Sequence, residues 1–163
     1  MGLEHGSMHI ENYLKSLRII HGMFLFALGA LTVFVVVQKN SFGAQITEGD
    51  PLVFAVPLTA LLGYFGSQLF MRKQLQPLKK EDALEMKLRK FQTTSLGQYA
   101  MIEAPALFAL VAYYLSGNAL PLVIGICLLL YLLVQRPTIN KMEQAIPLKN
   151  EELKRLRYQP YNK

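Results

Sequence analysis

FQTTSLGQYAMIEAPALFALVAYYLSGNALPLVIGICLLLYLLVQ, residues 91–135, contains one acid, Glu103, and no base. A hydrocarbon core of roughly 30 Å is crossed by about 17 to 25 apolar residues of helix, so this run is too long for a single crossing. Ser116-Gly117-Asn118 followed by Pro121 is turn chemistry. It predicts a helical hairpin that turns between Leu115 and Ala119, with a short second span from Ala119 to Gln135.

Upstream, Ile19 to Val37 has His21 as its only ionisable residue, and Pro51 to Met71 has no charge at all. Four apolar runs therefore fill about half of the 163 residues. With 52% hydrophobic residues, 17% charged residues and a mean hydropathy of +0.26, the composition excludes a disordered chain and argues against a soluble globular one. The single Cys127 excludes a disulfide scaffold. The expected fold is all-α: one integral membrane domain, a four-helix transmembrane bundle.

The net charge of +6 invites a nucleic-acid reading, but the placement of the bases explains it better. Lys15 and Arg18 precede the first run. Seven bases lie between the second and third runs, and seven follow the fourth. Only Lys39 falls in the first short loop, and the Ser116 turn has none. By the positive-inside rule both termini are expected in the cytoplasm, with Ser41 and Asn118 outside, and a bacterial inner membrane is the expected location. No cleavable signal is evident before the first run. Residues 1–7, with Gly6-Ser7 ahead of a second methionine, read as a cloning scar, which places the expected native start at Met8.

Comparison of the chain with itself indicates a duplication. At an offset of 70, Pro51-Leu52-Val53 meets Pro121-Leu122-Val123, and Pro77-Leu78-Lys79-Lys80-Glu81-Asp82 meets Pro147-Leu148-Lys149-Asn150-Glu151-Glu152. At an offset of 82, Ile20-His21-Gly22 and Leu25-Phe26-Ala27-Leu28 meet Ile102-Glu103-Ala104 and Leu107-Phe108-Ala109-Leu110. The reading is two parallel hairpins, residues 8–92 and 93–163. Each ends in a short cytoplasmic amphipathic helix, Lys79 to Gln92 and Glu151 to Tyr158. Such segments lie under the headgroups or dock a partner.

Glu103 is the residue that asks for a function. A carboxylate near mid-bilayer costs several kcal/mol, roughly, and persists only when protonated, paired or in contact with a water-filled path. Pro105 just after it removes a backbone donor and would free carbonyls for an ion or water. The competing reading is a protonated carboxyl hydrogen-bonded across a helix interface. His21 occupies the repeat position equivalent to Glu103, and is either its partner or a boundary histidine reaching a headgroup or a carbonyl. Glu103 and His21 are thus the candidate ion-binding residues.

His5 and His9 belong to the expected tail, and no acid or cysteine stands at ligand spacing, so no metal site or cofactor is expected. No phosphate loop, zinc motif or nucleophile with its base is present, which argues against an enzyme. Four-helix glutathione-type membrane enzymes carry polar Arg, Glu and Asn on span two, and these have no counterpart between Pro51 and Phe70. Cys127 lies in an apolar run and reads as a small packing residue.

Gln98-Tyr99-Ala100-Met101-Ile102-Glu103-Ala104-Pro105-Ala106-Leu107-Phe108 resembles the ion-carrying helix of the rotor-ring proteolipid, subunit c, of rotary ATPases. The likeness covers roughly residues 58–118. It implies Glu103 as carrier of a proton or sodium ion, with Arg72 and Pro77 loosely in place of the family's loop Arg-Gln-Pro. Span two has only Gly63 and Gly66 where that family's inner helix is glycine-rich, so the chain reads as proteolipid-like rather than as the main synthase ring. The expected function is a small membrane protein handling protons or monovalent cations through Glu103. It is expected as a homo-oligomer or as a subunit of a membrane complex. The alternative is a non-catalytic scaffold or accessory subunit whose basic segments dock a partner.

Overall fold

The structure, a computed structural model, describes the backbone of residues 2–39 and 50–157, and the side chains of residues 12–39 and 50–154. Every element in these ranges is a helix: α1 (Gly2–Lys39), α2 (Leu52–Leu75), α3 (Leu84–Ser116), α4 (Ala119–Val134), α5 (Ile139–Ala145) and α6 (Asn150–Arg157). Residues 5 and 9, expected in a tail, lie within the first turns of α1, while their side chains and the loop containing Ser41 lie outside the described residues.

Three helices are long and apolar enough to cross a membrane: residues 12–39 of α1, α2 and α3. There are up to four if α4 and α5, bent 87° apart, form one broken span. The outward faces fit that reading. Phe26, Phe54, Leu62, Phe65, Leu115 and Val134 are each more than half exposed, which in water would carry a heavy cost.

α3 is the central post, packed against α1, α2 and α4. Its 33 residues make a rod of about 50 Å, well beyond a hydrocarbon core, so its first turns project from the apolar zone. This corrects the expected separate surface helix from Lys79 to Gln92. Leu84, Leu88 and Phe91 begin α3 itself, because no glycine or proline interrupts the chain between Ala83 and Gly97. The second expected segment is met by α6, with Tyr158 outside the described residues.

The turn between α3 and α4 follows the residues that predicted it. Gly117 closes α3 in the left-handed region (φ 71°), where a side chain would be strained, and its N–H donates to Tyr113 O at 2.8 Å. Asn118 then caps α4, its side-chain oxygen accepting from Leu120 N–H at 3.0 Å.

Helices α2 and α3 approach closely at glycines. A Cβ built on Gly63 would lie 2.5 Å from Pro105 Cγ and 2.8 Å from Met101 O, and one on Gly97 would lie 2.6 Å from the Phe70 ring. Only hydrogen at these positions allows the backbones to meet, the usual device where lipid supplies no hydrophobic drive.

The chain segments at an offset of 70 differ in one respect and agree in another. α2 runs unbroken from Leu52 to Leu75, whereas residues 122–145 are split at Pro137 into α4 and α5. Yet the turns after them form the same hydrogen bond. Lys79 N–H donates to the Asp82 carboxylate at 2.8 Å, and Lys149 N–H donates to the Glu152 carboxylate at 2.7 Å.

Candidate functional site

Pro137 cannot continue α4, and the carbonyls of its last turn keep acceptor capacity that the helix does not fill, Leu132 O taking only the Gln135 N–H at 3.0 Å. Three side chains from three helices reach them. His21 of α1 is buried and its Nε2–H donates to Leu132 O at 2.9 Å. Tyr99 of α3 donates its hydroxyl to Gln135 O at 3.3 Å. Lys141 of α5 donates to Val134 O at 3.2 Å and to Gln135 Oε1 at 2.8 Å. A cation suits this position because the carbonyl end of a helix carries partial negative charge. The rings of His21 and Tyr99 meet edge-on at 4.9 Å, and Phe24 stands 6.3 Å from Tyr99.

Tyr131 ties α2 to this end of α4. Its hydroxyl accepts from Gln135 Nε2 at 2.7 Å and from Gln68 Nε2, and its ring lies 4.9 Å from that of Tyr64. Beneath the elbow, between α2, α3 and α5, opens a cavity of about 400 Å³.

Glu103 stands one turn beyond Tyr99 on α3, about 6 Å further along the axis. It is half-buried, at the border between the interior face (Tyr99, Ile102, Ala106) and the outward face (Ala100, Ala104, Leu107). Among the described residues it has no hydrogen-bond or ion-pair partner. His21 is not joined to it, since its hydrogen bond goes to the Leu132 carbonyl, one of the two roles its sequence position allowed.

Pro105 does free the Met101 carbonyl, but Gly63 of α2 closes over that oxygen. At about 100° per residue Glu103 points roughly 200° away from Met101, so the freed carbonyl and the carboxyl serve different sides of α3. On that side of α3 the Met101 carbonyl lies against Gly63 of α2. Gly63 and Gly66 both face α3 of the same chain.

Lys87 was hidden among the bases of the second loop. It has no exposed surface, and its ammonium reaches Glu152 Oε2 at 3.1 Å and Lys80 O at 2.9 Å. Cys127 is exposed on α4, towards the apolar exterior rather than in a packed position. Among the described residues no three His, Cys, Asp or Glu side chains gather as metal ligands.

These features define an all-helical chain with three, or up to four, helices able to cross a membrane, a capped helix break, and an unpaired carboxyl on its central helix. No protein family, curated protein or solved structure matches it.

Proposed function

We propose that this is an integral membrane protein that handles protons or monovalent cations through Glu103, in the manner of a proteolipid. The observation that carries the reading is the solitary Glu103 carboxyl at the margin of α3. Structural glue would need a donor or acceptor across a helix interface, and none lies within reach among the described residues. A carboxyl at such a margin is neutral against hydrocarbon and releases its proton where it meets water or a neighbouring subunit. His21, already bound to a carbonyl, is a positioning residue in this reading, since it fixes the α1–α4 contact one turn away.

The four-span topology, with both termini in the cytoplasm of a bacterial inner membrane, belongs to the same proposal and rests on the distribution of bases. So does the duplication, which the paired hydrogen bonds of Asp82 and Glu152 support at the offset of 70. Gly22 and Gly29 on α1 face open space and leave a smooth surface on which a second copy can lie.

The test is Glu103→Gln in proteoliposomes under an imposed pH or sodium gradient. The proposal expects ion flux, and slow labelling of the protein by an apolar carbodiimide, to be lost while the thermal midpoint stays put. If the Gln variant keeps full function and Glu103→Ala unfolds the bundle, the carrier role is wrong and the scaffold reading takes its place.

A further inference from the structure

The cavity beneath the α4–α5 elbow is lined by two kinds of donor. Ser95 and Gln98, on successive turns of α3, line it and are 2% and 6% exposed as whole residues. No buried side-chain polar atom among the described residues lacks a partner, so the Ser95 hydroxyl and the Gln98 amide, which bond to no other group of the described protein, open onto the cavity. Arg72 of α2 and Lys141 of α5 contribute two cations, and among the described residues no acid lines the space. Arg72 has neither an ion pair nor a hydrogen bond among the described residues.

Donors dominate this set. A guanidinium has five N–H groups, an ammonium three, an amide two and a hydroxyl one. Lys141 has used two of its three on Val134 O and Gln135 Oε1. A ligand that answers them must be rich in acceptors and negatively charged, which describes a phosphate better than a carboxylate. Met71 and Phe91 form an apolar wall beside the donors, so the occupant has an uncharged, apolar part as well. The volume matches small-ligand pockets of about 300 to 1,000 Å³.

We infer that this cavity is a binding site for a phosphate ester, held by Arg72, Lys141, Ser95 and Gln98, with its apolar portion against Met71 and Phe91. The same chemistry is presented by an anionic phospholipid headgroup at the membrane surface and by a soluble phosphorylated molecule. The site is independent of Glu103 and stands whether or not the carboxyl carries ions.

The experiment uses the full-length protein in a maltoside detergent, with affinity read by thermal shift and microscale thermophoresis. Three probes are titrated: inorganic phosphate, dihexanoyl phosphatidic acid, and hexanoate as the carboxylate control. Wild type is expected to bind phosphatidic acid at least 10-fold more tightly than hexanoate. Arg72→Gln and Gln98→Leu should each weaken that binding 10-fold or more, while Arg89→Gln, on the exposed face of α3, should leave it unchanged. Competition by inorganic phosphate assigns the site to soluble phosphorylated ligands, and its absence assigns it to lipid headgroups. Each variant is first checked for a wild-type elution profile, and Ser95→Ala provides a second reading should Gln98→Leu not fold. Equal binding by wild type and the folded variants, tighter binding of hexanoate, or no binding by either phosphate probe overturns the proposal.

Discussion

Lys87 and Glu152 form a buried ion pair at 3.1 Å that joins the start of α3 to α6, 65 residues further along the chain. The same carboxylate oxygen also accepts the Lys149 N–H at 2.7 Å, so one acid both closes its own turn and holds the first turn of the central helix. α6 is short, and this pair ties it to α3 while Leu153 packs against the core and the helix lies on α1.

Removal of Glu152 strands the Lys87 ammonium in a site with no exposure. Glu152→Ala is expected to cost about 3 to 5 kcal/mol, the range for a broken buried pair. Asp82→Ala, which loses only the hydrogen bond to Lys79 N–H, should cost about 1 kcal/mol. Thermal or denaturant unfolding of the two variants in one detergent checks the order. Equal losses would show that the pair contributes nothing beyond the turn.

Gly63 and Gly29 give opposite expectations for the same substitution. A Cβ at Gly63 meets the Pro105 ring and the Met101 carbonyl, neither of which can yield without moving α3, so Gly63→Ala should destabilise the α2–α3 contact by about 1 to 3 kcal/mol. Gly29 has nothing within 4 Å, and Gly29→Ala gains helix propensity of up to about 1 kcal/mol. Melting midpoints should move in opposite directions in the monomer. A lowered midpoint for Gly29→Ala that depends on protein concentration would reveal a neighbouring copy at that face.

Removal of the donors that serve the broken end of α4 should have graded effects. His21→Ala leaves the Leu132 carbonyl with only its contact to Gln135 N–H and also opens space beside Tyr99, so a loss of about 2 kcal/mol is expected. Tyr99→Phe keeps the ring and gives up one long hydrogen bond, which should cost under about 1 kcal/mol. Amide hydrogen exchange across residues 128–136 should rise in the first variant and change little in the second.

Topology is open to single-cysteine labelling once Cys127, exposed on α4, is replaced by serine. Leu115→Cys should react with a membrane-impermeant maleimide from outside the cell, and Lys80→Cys and Asn150→Cys only after permeabilisation. External labelling at position 150 would eliminate the four-span reading.

The apolar runs, and the turn at Gly117, were legible because each is written locally: length against bilayer thickness, and a glycine where φ must be positive. The fusion of the amphipathic segment into α3 was not, since a 3.6-residue pattern is the same in a surface helix and in the overhang of a long one. Lys87 reads as one base among the seven between the second and third runs, within the amphipathic segment, and its burial depends on an acid 65 residues away. His21 reads as a boundary histidine reaching a headgroup or a carbonyl, or as a partner for Glu103. Its contact is a backbone carbonyl, but one 111 residues distant at the end of α4, and no side-chain spacing says which carbonyl. Gln98 and Ser95 sit in a run that reads as the start of an apolar span. Only the elbow at Pro137 gives them a cavity to face.

The inequality of the helices has a consequence for the surrounding lipid. α4 is 16 residues, about 24 Å long, some 6 Å short of an average hydrocarbon core, while α3 beside it overreaches the same layer by more than a third of its length. On the four-span reading, the bilayer next to α4 must thin, or the polar elbow must sink below the headgroups and draw water after it. The elastic cost is a fraction of a kcal/mol for each ångström of mismatch, roughly. Such a chain rests with least strain in a thin membrane, and a thicker, sterol-like bilayer would work against its α4 side alone, tilting the whole bundle toward its shortest helix.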